Sequence, residues 1–390
     1  MTERKSGAQS MTPTALIGGT LLLPDRCLEG HALVVSAGKI TKVCANADLP
    51  AGVVQRDIAG LTVAPGFIDL QVNGGGGVLF NDDPSLEAIK AIGAAHRNFG
   101  TTSFLPTLIS DTVEKIDLAL IAAEQGLAEN TPGLIGIHLE GPFLSPQRHG
   151  IHNPAHFQTP DAELLDRLKA PKGGSLMMTL APEEVPAKLL RQLSSRGVKL
   201  AAGHTAATYA QTVDALKAGV TGFTHLFNAM PPMLSRAPGP VAAALESEAW
   251  CTLIADGHHV DDAMLRLAIR AKADGRMIFV TDAMSCAGTD ATSFQFDGKT
   301  IRVRDGRCED DAGTLAGSNL TMIDAVRRGV RELDLPLHIA VNMATFQPAS
   351  FLGIEAERGS LKPGSRADLV FLNGALDLVA VVQDGNLEEL

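Results

Sequence analysis

Short apolar runs alternate with amphipathic segments through the middle of the chain. The apolar residues of the longer segments repeat about every 3.6 positions, as in helices, whereas the short runs are typical of buried strands. Eight such runs occur, with helix-like segments between most of them, and this repeated strand–helix alternation with eight strands predicts an α/β fold, a (β/α)8 barrel of the TIM type. The predicted strands are residues 66–72, 102–105, 134–138, 176–180, 199–202, 222–225, 252–255 and 277–281, and the predicted helices between them are residues 83–99, 111–125, 186–196, 206–218 and 261–273.

Both ends of the chain carry short β-like runs separated by turn residues, and at the N-terminal end these follow a polar tail of about ten residues. We therefore expect residues 1–63 and 350–390 to form one small discontinuous β-sandwich domain, and residues 64–349 to form the barrel domain. After the eighth barrel strand, Asp297-Gly298 predicts a hairpin turn. Two further helices are predicted at residues 319–333 and 336–344.

The composition is that of a globular chain with a large core, because 45% of its 390 residues are hydrophobic and 20% are charged. The net charge of −11 and the absence of basic runs argue against nucleic acids and membrane surfaces as partners. The five cysteines are scattered without a Cys-x-x-Cys pair, which favours a reducing compartment. Without a signal-like N-terminus or an apolar run of about 18 residues, we expect a cytoplasmic protein.

Residues capable of chemistry follow several predicted strands. Glu140 follows the third strand, His204 the fifth, His225 the sixth and Asp282 the eighth. In a barrel the C-terminal ends of all strands open onto the face that carries active sites. We therefore expect these four side chains to converge, although they are far apart in sequence.

The converging residues match a catalytic zinc site, which uses two imidazoles and a carboxylate and leaves one position open. Glu140, His204 and His225 supply that set. A single buried histidine is more often a hydrogen-bonded core residue than a ligand, but three donors at strand ends favour the metal. Asp282 alone would be interpreted as a loop cap. Beside a metal-bound water, whose pKa is lowered, it becomes a general base that can pass the proton to a leaving amine.

Three loop residues are candidates for substrate contacts. Arg236 could form a bidentate pair with a phosphate or carboxylate, and simple solvation at the surface is an equally good interpretation. His152 and His259 lie in loops that also follow barrel strands, and they could form hydrogen bonds with a substrate.

The order of motifs along nearly the whole chain resembles the amidohydrolase superfamily, and within it the family of N-acetylglucosamine-6-phosphate deacetylases. The motifs are Pro65-Gly-Phe-Ile-Asp-Leu-Gln-Val-Asn-Gly, His138-Leu-Glu-Gly-Pro-Phe, Gly150-Ile-His-Asn-Pro, Gly203-His-Thr, Thr224-His-Leu-Phe-Asn-Ala-Met, Ala255-Asp-Gly-His-His-Val, Val280-Thr-Asp-Ala, Gly313-Thr-Leu-Ala-Gly-Ser and Gly359-Ser-Leu-Lys-Pro-Gly-Ser-Arg-Ala-Asp-Leu-Val.

The resemblance implies a role for each matching residue. Glu140, His204 and His225 would bind one divalent ion, zinc first, with iron, cobalt and manganese as alternatives. Asp282 would be the catalytic acid and base, and His152 would contact the acetamide carbonyl. The resemblance also implies a homodimer or homotetramer in which Arg236 reaches the neighbouring subunit's site. The sugar phosphate would be held by Asn228, Ala229, Arg236 and His259, and the pocket would be lined by Leu315, Ala316 and Gly317.

One departure from the wider superfamily concerns the metal count. Most amidohydrolases carry His-x-His after the first strand, and here Gln71 and Asn73 stand at those positions. Neutral amides are poor ligands for a zinc-like ion. We therefore expect one catalytic ion per chain.

The predicted reaction is metal-dependent hydrolysis of N-acetylglucosamine 6-phosphate, giving glucosamine 6-phosphate and acetate. The alternatives are deacetylation of another N-acetylhexosamine 6-phosphate, such as the galactosamine epimer, or hydrolysis of a cyclic amide, which usually needs a metal pair. A non-catalytic sugar-phosphate-binding protein is disfavoured because binding alone does not need Asp282. A structural interaction module explains none of the polar residues at the strand ends.

Overall fold

The structure, a computed structural model, describes residues 12–272 and 275–390. The predicted polar tail and residue 273 of the predicted helix 261–273 lie outside the described residues. Contacts divide the chain into two compact units. The terminal unit contains the described residues up to Ile68 together with Arg97–Thr102 and Leu335–Leu390, and the barrel unit contains Asp69–His96 and Ser103–Asp334. The domain boundaries at residues 63 and 349 stay a prediction.

Eight strands form one sheet in which each strand lies beside its neighbour in the chain, and the pairs from strand 2 to strand 8 run parallel. A parallel bridge between Val72 and Ala283 connects the end of strand 1 to the segment after strand 8, so the sheet is nearly closed into a barrel. The (β/α)8 prediction is confirmed. Barrel strands 1 to 8 are Phe67–Val72, Thr101–Ile109, Gly136–Glu140, Ser175–Leu180, Lys199–Ala202, Val220–Phe223, Trp250–Leu253 and Met277–Phe279.

The predicted helices are present, with ends that differ by a few residues. Some of their starts follow the capping rules: Thr112 accepts a hydrogen bond from the Lys115 N–H, and Thr208 with Gln211 forms a capping box. Three helices were not predicted: Ala162–Arg167, which has only six residues, Gly239–Glu246 and Phe346–Leu352. The helices are Leu86–Arg97, Val113–Ala128, Ala162–Arg167, Ala187–Ser195, Tyr209–Lys217, Gly239–Glu246, Asp262–Ala271, Met322–Arg331, Leu337–Met343 and Phe346–Leu352. None of the helices within the described ranges is long and apolar enough to cross a membrane.

The terminal unit contains two sheets: one comes from the N-terminal region alone, and the other combines strands from both ends of the chain, as predicted. One sheet has the order Lys39–Ala45, His31–Ser36, Thr14–Ile17, Val54–Asp57, and the other has the order Leu378–Val382, Leu369–Leu372, Thr62–Pro65, Thr20–Leu22, Cys27–Leu28. Buried side chains from both sheets, among them Leu16, Leu33, Val63 and Phe371, share one apolar core. Burial of this common core is what holds the two chain ends together.

A four-stranded antiparallel sheet follows barrel strand 8 and shapes the site. Its first hairpin turns at Asp297 and Gly298, both with positive φ, which confirms the predicted turn. Phe296 and Ile301 pack with Ile109 at the end of barrel strand 2 in one apolar cluster. The strands are Ser293–Phe296, Lys299–Arg304, Arg307–Glu309 and Leu315–Ser318. A small hairpin, Gly74–Gly75 with Val78–Leu79, and the short 3-10 helices Asn46–Asp48, Pro146–Arg148, Pro154–His156 and Leu387–Glu389 complete the described elements.

Candidate active site

A cavity of about 430 Å³ opens at the C-terminal ends of the barrel strands, where the polar residues were predicted to converge. Arg236 lies outside the cavity lining, on an exposed stretch of the loop after strand 6. Ala316 lies behind the lining, fully buried in the apolar cluster of the inserted sheet. The predicted residues that line the cavity are Glu140, His152, His204, His225, Asn228, Ala229, His259, Asp282, Leu315 and Gly317.

Three buried donor atoms from three strand ends meet at one side of this cavity. Glu140 is the last residue of strand 3, and its Oε1 lies 2.9 Å from His225 Nε2 and 3.3 Å from His204 Nε2. The two imidazole nitrogens lie 3.1 Å from each other. Ligands about 2.0–2.1 Å from a tetrahedral ion lie about 3.3 Å apart, so this triangle has the size of a zinc-like site. The Glu-His-His cluster can therefore hold a metal ion.

The hydrogen bonding of His204 fits the same role. Its Nδ1 lies 3.0 Å from the carbonyl oxygen of Arg148, which can only accept a hydrogen bond. Nδ1 therefore carries a proton, and Nε2 is the nitrogen that faces Glu140 and His225. Metal-binding histidines commonly donate their second nitrogen in this way.

His152 offers a second way to choose three donors, because Glu140, His152 and His204 also place ligand atoms close together. We favour the set with His225, since His152 Nε2 lies 3.7 Å from Glu140 Oε2 while the His225 contact is 2.9 Å. His152 is also engaged elsewhere: its Nδ1 lies 3.0 Å from Ser110 Oγ. Ser110 donates its own proton to the Glu140 carbonyl oxygen at 3.0 Å, so His152 is the donor in that pair.

The charges of the cluster depend on burial and on one another. Burial raises the pKa of Glu140, but hydrogen bonds from His204 and His225 outweigh it and hold the pKa of this carboxyl well below its usual range. Burial lowers the pKa of His225, and the Glu140 carboxylate more than reverses this, so the pKa is raised. For His152, burial and then the charge of His204 lower the pKa well below the usual value. The site therefore presents an ionised Glu140 and a neutral His152.

Asp282 stands beside this cluster, held by the side-chain amides of Gln71 and Asn73. Its Oδ1 accepts hydrogen bonds from Gln71 Nε2 at 3.0 Å and from Asn73 Nδ2 at 2.7 Å. Gln71 Nε2 also lies 3.0 Å from Glu140 Oε1, so one amide group bridges both carboxylates. Burial, followed by the negative charge of Glu140, raises the pKa of Asp282 to about 6. A carboxyl with such a pKa can release and regain a proton near neutral pH.

Several of these residues have backbone conformations that ordinary side chains rarely adopt. The φ angles of His204, His225, Ala229 and Asp282 are 46°, 32°, 50° and 52°. Neighbouring strands hold them: the His225 N–H donates to Thr252 Oγ1 at 2.6 Å. Strain of this kind at non-glycine residues concentrates at functional sites, and here it directs the side chains after each strand end toward the cavity.

Three residues that hold the site were not predicted from the sequence. Ser110 orients His152, as described above. Glu183, after strand 4, accepts hydrogen bonds from Thr205 Oγ1 at 2.5 Å and from the backbone N–H that follows, and so holds the loop that carries His204. Asp256, after strand 7, accepts from His259 Nδ1 at 2.7 Å. Only Asp256 had a local signal, in the Asp-Gly-His-His motif; the others act on residues distant in sequence.

Comparison with known proteins identifies the family of the chain. Residues 62–388 match the amidohydrolase family, and residues 15–63 match the NagA composite domain. An N-acetylgalactosamine-6-phosphate deacetylase of Shewanella sp. (strain ANA-3) is 41% identical over 95% of this chain and 94% of its own length. An N-acetylglucosamine-6-phosphate deacetylase of Haemophilus influenzae is 33% identical over 96% of this chain and 99% of its own.

The fold is also similar to that of a solved deacetylase structure. The crystal structure of N-acetylglucosamine-6-phosphate deacetylase from Pasteurella multocida superimposes with a TM-score of 0.91 at 34% identity, covering 96% of this chain and 98% of that one. The family match extends over most of the chain. This chain therefore belongs to the amidohydrolase family.

Proposed function

We propose that this chain is a metal-dependent deacetylase that hydrolyses the acetamide of N-acetylglucosamine 6-phosphate to glucosamine 6-phosphate and acetate. The observation that carries the proposal is the buried cluster of Glu140, His204 and His225, with Asp282 beside it at the end of a cavity of about 430 Å³. A second candidate substrate is the galactosamine epimer, because the relative that is 41% identical is an N-acetylgalactosamine-6-phosphate deacetylase.

One divalent ion per chain would be held by Glu140, His204 and His225, with zinc as the first candidate and iron, cobalt or manganese as alternatives. When bound there, the ion supplies Lewis acidity, which polarises the amide carbonyl and favours ionisation of water. Gln71 and Asn73 occupy the positions that would serve a second ion. Their amide nitrogens donate to the carboxylates of Glu140 and Asp282, and neutral amides are poor ligands for a zinc-like ion, which supports a single ion.

Asp282 carries the proton in this reaction. Its Oδ1 is engaged by two amide donors, so Oδ2 is the oxygen available to the attacking water. The carboxylate removes the proton of that water and then delivers it to the nitrogen of the leaving amine, which is a poor leaving group without it. His152, held by Ser110, contacts the acetamide group.

The sugar phosphate would be held in the cavity by Asn228, Ala229 and His259, with Leu315 and Gly317 in the wall. Arg236 is exposed, which suits a residue that reaches the neighbouring subunit's site in a homodimer or homotetramer. We place the enzyme in the cytoplasm, where sugar phosphates are metabolised.

The test is an acetate-release assay with the two epimeric N-acetylhexosamine 6-phosphates, the unphosphorylated sugars and a cyclic amide. We expect turnover of one or both sugar phosphates, with much lower kcat/KM on the unphosphorylated sugars. Turnover of the cyclic amide alone would overturn the proposal. The ratio of kcat/KM for the two epimers decides between the two candidate substrates.

A further inference from the structure

Asp256 takes no part in the reaction proposed above, yet it holds a residue of the cavity wall. It lies three residues after barrel strand 7, and its Oδ1 accepts from the backbone N–H groups of His258 and His259 at 2.8 and 2.9 Å. Its Oδ2 lies 2.7 Å from His259 Nδ1. Both side chains are buried, with 5% of Asp256 and 7% of His259 exposed. One carboxylate therefore fixes both the loop and the imidazole ring.

This arrangement decides which nitrogen of His259 faces the cavity. Burial raises the pKa of Asp256, but the hydrogen bond from His259 and its charge outweigh burial and lower it, so the carboxyl is ionised. An ionised carboxylate only accepts hydrogen bonds, so the proton of the pair lies on Nδ1. Nε2 is then the nitrogen left for a ligand in the cavity that His259 lines.

An anionic ligand at Nε2 requires a second proton on the ring. A phosphate monoester carries close to two negative charges near neutral pH. An imidazolium beside it would be partly buried, and the adjacent Asp256 carboxylate offsets its charge. A charge-assisted hydrogen bond is roughly twice as strong as a neutral one.

We infer that Asp256 is a positioning residue that acts through His259: it directs Nε2 into the cavity and supports the imidazolium that binds the substrate's phosphate. The inference rests on the proposed function, in which His259 contacts the sugar phosphate. It adds the residue that gives His259 the orientation and charge for that contact.

Asp256→Asn separates the effect on the ring from the effect on the loop. The Asn Oδ1 can still accept from the two backbone N–H groups, while its Nδ2 replaces Oδ2 and donates to His259 Nδ1. The ring then becomes neutral with its proton on Nε2. We expect KM for the N-acetylhexosamine 6-phosphate to rise on the order of tenfold, because a charge-assisted hydrogen bond becomes a neutral one. We expect kcat to change by less than about threefold, and kcat/KM for the unphosphorylated sugar to stay unchanged.

A double-mutant cycle shows whether Asp256 acts through His259. His259→Ala should raise KM by roughly 10–100-fold, and adding Asp256→Asn to it should change nothing further. If the increase in KM of the double variant equals the product of the two single increases, the inference is wrong. Asp261→Asn is the matched control, because Asp261 also accepts a backbone N–H, from Ala263 at 2.8 Å, but caps the next helix. Its KM should stay within about twofold of the wild-type value.

Binding of glucose 6-phosphate to the metal-loaded protein, measured by calorimetry, tests the inference without the reaction. We expect Asp256→Asn to weaken binding about tenfold. An unchanged Kd, or no binding to the wild-type protein, would overturn the inference. If the wild-type protein releases no acetate from either sugar phosphate, the proposed function fails, and this binding measurement still decides the role of Asp256.

Discussion

Replacing Asp282 by Asn removes the proton carrier of the proposed reaction while leaving its hydrogen bonds in place. Gln71 and Asn73 both donate to Oδ1 of Asp282. In the variant the amide oxygen must face these two donors, because an amide nitrogen there would oppose two N–H groups. The amide nitrogen therefore takes the place of Oδ2, the atom that would accept the proton.

The size of the effect follows from this orientation. An NH2 group at the Oδ2 position cannot act as a base, so the whole contribution of general acid–base catalysis is lost. That contribution is typically 10²–10⁴-fold, and we expect kcat to fall by about that factor. The metal content should not change, because none of Glu140, His204 and His225 is altered. The Tm at neutral pH should not fall either, because the variant removes a carboxylate whose ionised form is disfavoured by burial.

The pH profile gives a second readout on the same variant. Asp282 must be ionised to accept a proton, and burial with the Glu140 charge raises its pKa from 3.8 to about 6. A bound divalent cation opposes that shift, so the acidic limb of kcat/KM should lie between these two values in the wild-type enzyme. The limb should disappear in the variant, whose amide does not titrate.

The assay is acetate release at saturating N-acetylhexosamine 6-phosphate across pH 4–9, with metal content measured on the same samples. A kcat of Asp282→Asn that stays within a few fold of the wild-type value would refute the reasoning. The base would then lie elsewhere, and His152 would be the next residue to test.

Three further perturbations test other parts of the account. Replacing Gln71 and Asn73 together by His should raise the metal bound after dialysis from one equivalent toward two, and elemental analysis that still finds one would show that the amides do not set the count. Arg236→Ala should raise KM for the phosphorylated substrate by about 10–100-fold and hardly alter kcat/KM for the unphosphorylated sugar; equal losses on both would make the arginine structural. Asp69 is buried, and burial is the main reason why its pKa is raised to about 7. The folded state therefore keeps a proton that the unfolded state releases above about pH 4. The stabilisation from this bound proton is therefore present at low pH and lost between about pH 4 and 7. The free energy of unfolding of Asp69→Asn minus that of the wild type, measured by urea titration, should rise by about 4 kcal/mol across that window. A constant difference would mean that Asp69 does not titrate there.

The barrel could be predicted because its signal is local. Buried strands and amphipathic helices each leave a period of a few residues, and eight repeats distinguish this fold from other α/β sheets. Strand ends were less certain: strand 3 runs to Glu140, two residues beyond its predicted end, because pairing with the neighbouring strand sets its length. The helix Gly239–Glu246 was missed because apolar residues on several of its faces are buried, which leaves no clear polar side in the sequence.

The convergence of Glu140, His204, His225 and Asp282 could also be predicted, because strand order fixes which loops meet. The hydrogen bonds that hold and orient these groups could not be predicted. Gln71 and Asp282 are 211 positions apart, and Ser110 and His152 are 42 apart, so no spacing in the sequence relates them. The sequence showed only that Gln71 and Asn73 are not imidazoles; the structure shows that they hold the carboxylate of Asp282.

The most direct test of the proposed function is a metal titration of the apoprotein, followed by acetate release from N-acetylglucosamine 6-phosphate and its galactosamine epimer. The account predicts no turnover without metal, a linear rise of activity with added zinc, and a plateau at one equivalent per chain. Full activity in the metal-free protein, or no acetate from either sugar phosphate at any metal loading, would contradict it.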